Sequence, residues 1–308
     1  MISRVVRLFL VVGGLFTVAV VRPGDAAPVV DSFAGLPPDS SRVAATFLCD
    51  GEEPSVSPDG RSVAFFRLGA LRVIDVATRG ERVLGYISNA HAVSWSPRGE
   101  RLVFQGDDSL VTRGKFWLWT VRSDGGDLRR LRGSGPRDQY PLWTRDGTRV
   151  VTSRGGGLSV IDSNGVGAVA VAARPAHDSF MLACGWIGTG DSLLCAVAEG
   201  ASEYRLYLAS LSQGEARPDP AAAGVDPYLA QDVSTYAQGA VIAVGMGNSI
   251  ALSERVKGGR VRRYWWAEPA QARKVSVSKD ESFAVFQDTT DPESTGLWVV
   301  RLRVARAH

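Results

Sequence analysis

Residues 57 to 66 read Ser57-Pro58-Asp59-Gly60-Arg61-Ser62-Val63-Ala64-Phe65-Phe66, a tight-turn tetrapeptide that runs straight into a hydrophobic strand. Pro presets φ for the second turn position, Asp bonds to its own backbone two residues on, and Gly accepts the positive φ that closes the turn. The motif returns as Ser96-Pro97-Arg98-Gly99 ahead of Leu102-Val103-Phe104. Weaker copies are Thr144-Arg145-Asp146-Gly147, Gly188-Thr189-Gly190-Asp191, Ala237-Gln238-Gly239 and Ser278-Lys279-Asp280-Glu281. Anchored at 60, 99, 147, 190, 239 and 281, the spacings are 39, 48, 43, 49 and 42 residues. A period of that size, made of strands and Gly-rich turns, indicates propeller blades.

Each unit carries a second hairpin. Leu71 to Val76 is followed by Thr78-Arg79-Gly80-Glu81 and Arg82-Val83-Leu84; Phe116 to Val121 is followed by Ser123-Asp124-Gly125-Gly126-Asp127 and Leu128 to Leu131. Alternating burial within the strands and Gly-containing turns between them fit paired antiparallel strands. The reading is therefore all-β: a six-bladed β-propeller of four-stranded antiparallel blades. The sixth unit stops after its third strand, Leu297 to Leu302. Its outer strand is expected from the other end of the chain, at Val43 to Leu48, which closes the ring and removes an open sheet edge. Trp95, Trp143 and Trp186 occupy matching places just before the first turn and are read as plugs between neighbouring blades.

The first 26 residues are read as a secretory signal peptide: Arg4 and Arg7, an uncharged stretch from Leu8 to Val21, then small and polar residues to Ala26. The uncharged stretch is shorter than a membrane span requires, and no later segment is long and apolar enough to form one. An exported protein, periplasmic or extracellular, follows as the expectation. Residues 27 to 42 are read as a tether and 43 to 308 as the propeller. Removing residues 1 to 26 takes away Arg4, Arg7, Arg22 and Asp25, so the formal charge falls from +3 to about +1 (+3 − 3 + 1). Such a balance gives no case for nucleic acid, which needs a clustered basic surface. Of the three cysteines, Cys184 and Cys195 flank the turn at Thr189-Gly190. Facing each other across that hairpin they are placed for a disulfide, with two buried thiols as the alternative.

At Ser57 to Phe65 and at Ser123 to Leu131 the sequence resembles the TolB-like propeller repeat. The resemblance spans residues 43 to 308 and is strongest in the first three units. In that family the first motif makes the inner hairpin of a blade and the second the outer one, so the resemblance implies a fold and carries no chemistry. Prolyl-oligopeptidase-type enzymes set a similar propeller beside a hydrolase domain, but no Gly-x-Ser-x-Gly nucleophile elbow occurs in this sequence.

In a propeller, the loops between blades and those joining second to third strands emerge on one face. Mapping the repeat puts Glu52, Glu53, His91, Asp138, Tyr140, His177, Asp178 and Asp226 in the first set. Asp107, Asp108, Arg154, Asp288, Asp291 and Glu293 fall in the second. The opposite face receives Arg79, Arg98, Arg101, Arg122, Arg129 and Arg149. The acidic side suits a protein or peptide partner, basic in character, with His91, Asp107, Asp108, Asp138, Tyr140, His177, Asp178, Asp226 and Asp288 as candidate contacts. His91 and His177, at equivalent positions, could with these carboxylates hold a metal ion or share acid and base roles. A metal-assisted hydrolase or lyase working on a small molecule in the channel is thus the alternative. No ligand motif of fixed spacing supports a metal, so no cofactor is expected, and the chain is read as a non-catalytic monomer. Asp59, Asp146 and Asp280 fall at turn positions and are read as backbone caps. Gly155-Gly156-Gly157 lacks the Lys-Ser/Thr pair of a phosphate loop and is read as a flexible connection.

Overall fold

A computed structural model describes residues 40–107, 115–164, 167–172, 180–198, 204–219, 234–236, 241–254, 261–266, 269, 271–291 and 295–302. The expected signal peptide and the first part of the tether lie outside the described residues, as do His177, Asp108, Asp178 and Asp226.

The described residues form strands alone, in six sheets that follow one another along the chain. Strand β1 (Ser40–Arg42) is followed by β2 (Ala45–Asp50). The first complete sheet holds β3 (Glu52–Val56), β4 (Ser62–Arg67), β5 (Ala70–Asp75) and β6 (Glu81–Tyr86). The second holds β7 (Ser88–Trp95), β8 (Arg101–Asp107), β9 (Phe116–Arg122) and β10 (Arg129–Arg130). The third holds β11 (Gln139–Trp143), β12 (Arg149–Arg154), β13 (Gly157–Asp162) and β14 (Ala168–Ala172). The fourth holds β15 (Phe180–Ile187), β16 (Ser192–Ala198), β17 (Tyr204–Ser210) and β18 (Ala216–Pro218). The fifth holds β19 (Ser234–Tyr236), β20 (Val241–Met246), β21 (Ser249–Glu254) and β22 (Val261–Trp265). The last is built from β23 (Ala272–Val277), β24 (Phe283–Asp288) and β25 (Gly296–Arg301), with β2 as its fourth strand.

Closure therefore falls where the sequence places it, two residues further along. Antiparallel pairs run from Ala45↔Val300 to Asp50↔Gly296. The chain then passes into β3 through Gly51 alone. At φ +151°, with the Phe65 ring 2.4 Å from where a Cβ would stand, no other residue fits that crossing. Arg79, in the β5–β6 turn, fastens the join by donating from Nη1 to the carbonyls of Phe47 and Leu48, both at 3.1 Å. Five sheets have the expected four strands. The fifth unit departs from the pattern, because β1, from the last residues of the expected tether, adds a parallel edge strand to β22.

The inner hairpins explain why the turn motif repeats. Ser57 Oγ donates to Asp59 Oδ1 (2.6 Å), which also accepts from the Arg61 N–H, while Ser57 Oγ accepts from the Ser62 N–H. Thr144–Asp146 repeats this network, and Ser278 and Asp280 bind the backbone of Phe283 and Ser282 in the same way. The hydroxyl of Ser57, Thr144 or Ser278 holds each of these carboxyls below its ordinary range, as expected of turn caps. Gly155 and Gly156, both at positive φ, form a two-residue hairpin turn between the paired Arg154 and Gly157. A tight turn replaces the flexible connection expected there.

Apolar side chains collect between consecutive sheets. Phe65 and Val63 meet Phe283 and Leu297 across the closure, and Phe66 meets Phe104 between the first and second sheets. Trp143 joins Val103 and Leu118 between the second and third. Met181 and Leu193 pack with Val151 between the third and fourth, and Leu194 with Ala251 between the fourth and fifth. Tyr264 and Trp266 close onto Phe286 between the fifth and last. The Trp95 indole donates to Ser55 O (3.0 Å) and the Trp186 indole to Trp143 O (2.8 Å), each reaching the preceding blade as the plug reading requires.

The Cys184–Cys195 bridge is corrected: Cys49, Cys184 and Cys195 form no disulfide. A bulge between Ala183 and Gly185 pairs Cys195 with Ala183 rather than with Cys184. Cys195 packs beside Met181 and Val197, whereas Cys184 lies against the separate cluster of Leu182, Leu194 and Ala196. Burial raises the Cys195 thiol and pushes that of Cys49 up to about 12, so neither is a ready thiolate.

Phe286 is fully buried and stacked on Trp266 at 4.5 Å and 16°. Replacing it with alanine should lower the unfolding free energy by about 3–5 kcal/mol in urea titration; a loss below about 1 kcal/mol would contradict the inter-sheet packing.

Candidate functional site

The first strand of each sheet faces the centre, and these strands carry a second repeating feature. Glu53, Ala92, Tyr140 and Lys274 all have φ near +50°. Each stands seven residues before a turn anchor (60, 99, 147, 281). At each of them the ladder to the neighbouring strand shifts register: Glu52/Ser55, His91/Ser94, Gln139/Leu142 and Arg273/Ser276. These are β-bulges, which free backbone groups from the ladder and turn them aside.

Side chains from adjoining sheets receive some of the freed donors. The Glu53 N–H donates to Gln287 Oε1 at 3.0 Å and the Tyr140 N–H to Gln105 Oε1 at 2.7 Å. The Ala92 N–H donates to Glu53 Oε2. Gln105 and Gln287 are equivalent by repeat, each six residues past its anchor and nearly fully buried. Ser153, at the same place in the third blade, donates instead to Met181 O. At the Glu53 and Tyr140 bulges, a buried Gln on the second strand of the preceding blade thus holds the bulge.

Between the bulges lies a cavity of about 240 Å³, lined by β3, β7, β11, β15 and β23. Pro54, Val93, Pro141, Leu142 and Val275 supply apolar surface; Glu53, Tyr140, Cys184 and Lys274 supply polar groups. Glu52, which precedes Glu53 on β3, lines a separate pocket with Gly51, Phe66 and Arg67. Its carboxyl is raised above the ordinary range first by burial and then by the Glu53 charge, with His91 opposing.

The expected contacts sort unevenly. Tyr140 lines the cavity, its ring edge-on to Phe180 at 6.3 Å. His91 lies on β7 rather than in a loop and packs on Phe116 at 5.4 Å. Asp107, expected in a loop, is the last residue of β8 and is buried. Asp138 is 0% exposed: Oδ1 accepts from Arg154 Nε (2.6 Å), and Oδ2 from Arg154 Nη2 and the Gly135 N–H (2.7 Å). It braces its loop rather than facing a partner. Asp288 Oδ1 caps its own turn at Thr290 N–H and Oγ1. Among the described residues, no three His, Cys, Asp or Glu side chains are grouped to hold a metal ion. No helix of the described residues is long and apolar enough to cross a membrane.

No protein-family model and no curated protein sequence matches this chain. Solved structures do resemble it. TolB from Acinetobacter baumannii superposes with a TM-score of 0.57 at 16% identity, covering 73% of this chain and 56% of its own. The chain thus spans little more than half of that protein. Oligogalacturonate lyase from Vibrio parahaemolyticus gives 0.55 at 11% identity, covering 84% and 79%; an oligogalacturonate lyase in complex with manganese gives 0.54 at 15%, covering 83% and 77%. Identities this low carry the fold alone. That fold is a TolB-like β-propeller.

The bulge bracing can be tested directly. Gln105→Leu keeps the volume but strands the Tyr140 N–H, and should cost about 1–2 kcal/mol in chemical denaturation. Gln105→Glu, which retains an acceptor, should recover part of it. Equal loss in both variants would argue against the bond.

Proposed function

We propose that this protein is an exported, non-catalytic binding module that takes a peptide or protein segment at the mouth of its central channel. The observation that supports this most is the ring of bulges. They set main-chain groups and apolar side chains around one small cavity on strands fixed by their neighbours. A site held by sheet backbone orders little on binding, so less of the contact free energy is lost to conformational entropy. A cavity of this size suits one or two side chains better than a whole folded surface. Glu52 and Glu53 favour a basic residue in the bound segment, since a cation beside them relieves the repulsion between the two carboxylates. Export rests on the reading of residues 1 to 26, and a monomer on the closed ring. The oligogalacturonate lyases share the fold, but nothing among the described residues favours their chemistry here.

The test uses the chain from residue 27 onward, panned against a displayed peptide library. Enriched peptides should carry Lys or Arg, and Ser94→Trp, which fills the cavity, should abolish their binding in fluorescence anisotropy. The raised Glu52 carboxyl is neutral at acid pH and charges only above its ordinary value near 4.5. Affinity should therefore increase as pH rises through that region, and Glu52→Gln should flatten the profile. Peptides held equally well by Ser94→Trp would refute the channel as the site.

A further inference from the structure

On the face of the inner turns, consecutive blades touch through their turn motifs. A Cβ on Gly99 would meet the Pro58 ring at 3.7 Å, and one on Gly147 would meet Pro97 at 3.5 Å; Gly60 faces Ser278 at 3.8 Å. The series stops between the third and fourth blades, where Gly190 has nothing within 4 Å. Two changes in sequence account for the gap. The motif's Pro is replaced by Arg145, and the fourth turn is tightened by the extra pair Ile187↔Ser192.

A groove of about 310 Å³ results, with Val160, Trp186 and Leu211 among its apolar walls and Arg149 on its rim. The Arg145 guanidinium lies over the Trp186 ring, 5.8 Å from its centroid. Its Nε and Nη2 are buried and have no hydrogen-bond acceptor. The two acids lining the groove are engaged elsewhere: Asp146 Oδ1 accepts from Thr144 Oγ1 and the Thr148 N–H, and Asp191 Oδ2 from the Ser212 N–H at 2.7 Å. Burial without an anion disfavours the charged form of Arg145. A guanidinium desolvated on an aromatic face, short of acceptors and beside open space has one complementary ligand chemistry, a planar anion that accepts two parallel N–H bonds.

We propose that this groove is a carboxylate-binding site anchored by Arg145, which swings off Trp186 to meet the ligand. The ligand class is the acidic side chain or C-terminal carboxylate of a peptide, bound on the face opposite the channel mouth and independently of it.

The test follows the indole N–H resonance of Trp186, assigned with Trp186→Phe, by NMR of the chain from residue 27. Three probes separate the sources: acetate, N-acetylglutamic acid α-amide for a side-chain carboxylate, and acetyl-Ala-Ala for a chain terminus. Their methyl esters serve as controls. The site predicts a saturable shift with at least one carboxylate and none with its ester. Arg145→Gln should weaken that binding roughly tenfold or more, the loss expected for a charge-assisted pair. Arg145→Pro restores the motif of the first two blades; it should remove binding while leaving the thermal midpoint unchanged or higher. No saturable shift with any probe, equal shifts from the esters, or undiminished affinity in Arg145→Gln or Arg145→Pro would overturn the proposal.

Discussion

The pairing of β2 with β25 is the constraint on which the rest of the molecule depends. Without β2, β25 would present a row of unpaired backbone groups, an open edge that small sheets cannot leave exposed without risk of association. The same segment supplies Leu48 and Cys49 to the packing between the last and first sheets, so its docking buries side chains as well as backbone. Arg79 ties it to the first blade, and Gly51 turns it directly into the first inner strand. Residues as distant in sequence as Ala45 and Val300 are thereby joined. The channel can be a defined space only because the blades around it are held in a closed ring.

That rigidity is what the inner bulges require. A residue such as Tyr140 or Glu53 at φ near +50° is strained, and it persists only when its surroundings over-determine it. Gln105 and Gln287, buried on second strands, provide that support from the neighbouring sheet. The channel mouth is accordingly a property of adjoining blades acting in pairs rather than of any single blade.

Legibility in the sequence follows from where the determining interactions lie. The turns were readable because Ser57, Asp59 and Gly60 bond to their own local backbone, and local chemistry leaves a local pattern. The closing strand was readable as a missing member of a repeat. The bulges were not, since Glu53, Ala92, Tyr140 and Lys274 share no side-chain chemistry; only their distance from the turn anchors is common. The bulge at Ala183/Gly185 likewise defeated the simple hairpin count that paired Cys184 with Cys195. Burial of Asp138 against Arg154 was hidden because the repeat placed them in two different sets of loops. At the third turn the signal was present and small: one Arg where the motif has Pro. Its meaning emerges only beside Gly190 and Trp186.

Amide hydrogen exchange of the whole chain tests ring closure most directly. The N–H groups of Phe47 to Asp50 should exchange only with global unfolding, at the same protection as those of β24 and β25. Rapid exchange of that segment while β24 and β25 remain protected would show that the ring is completed without it, contradicting the account.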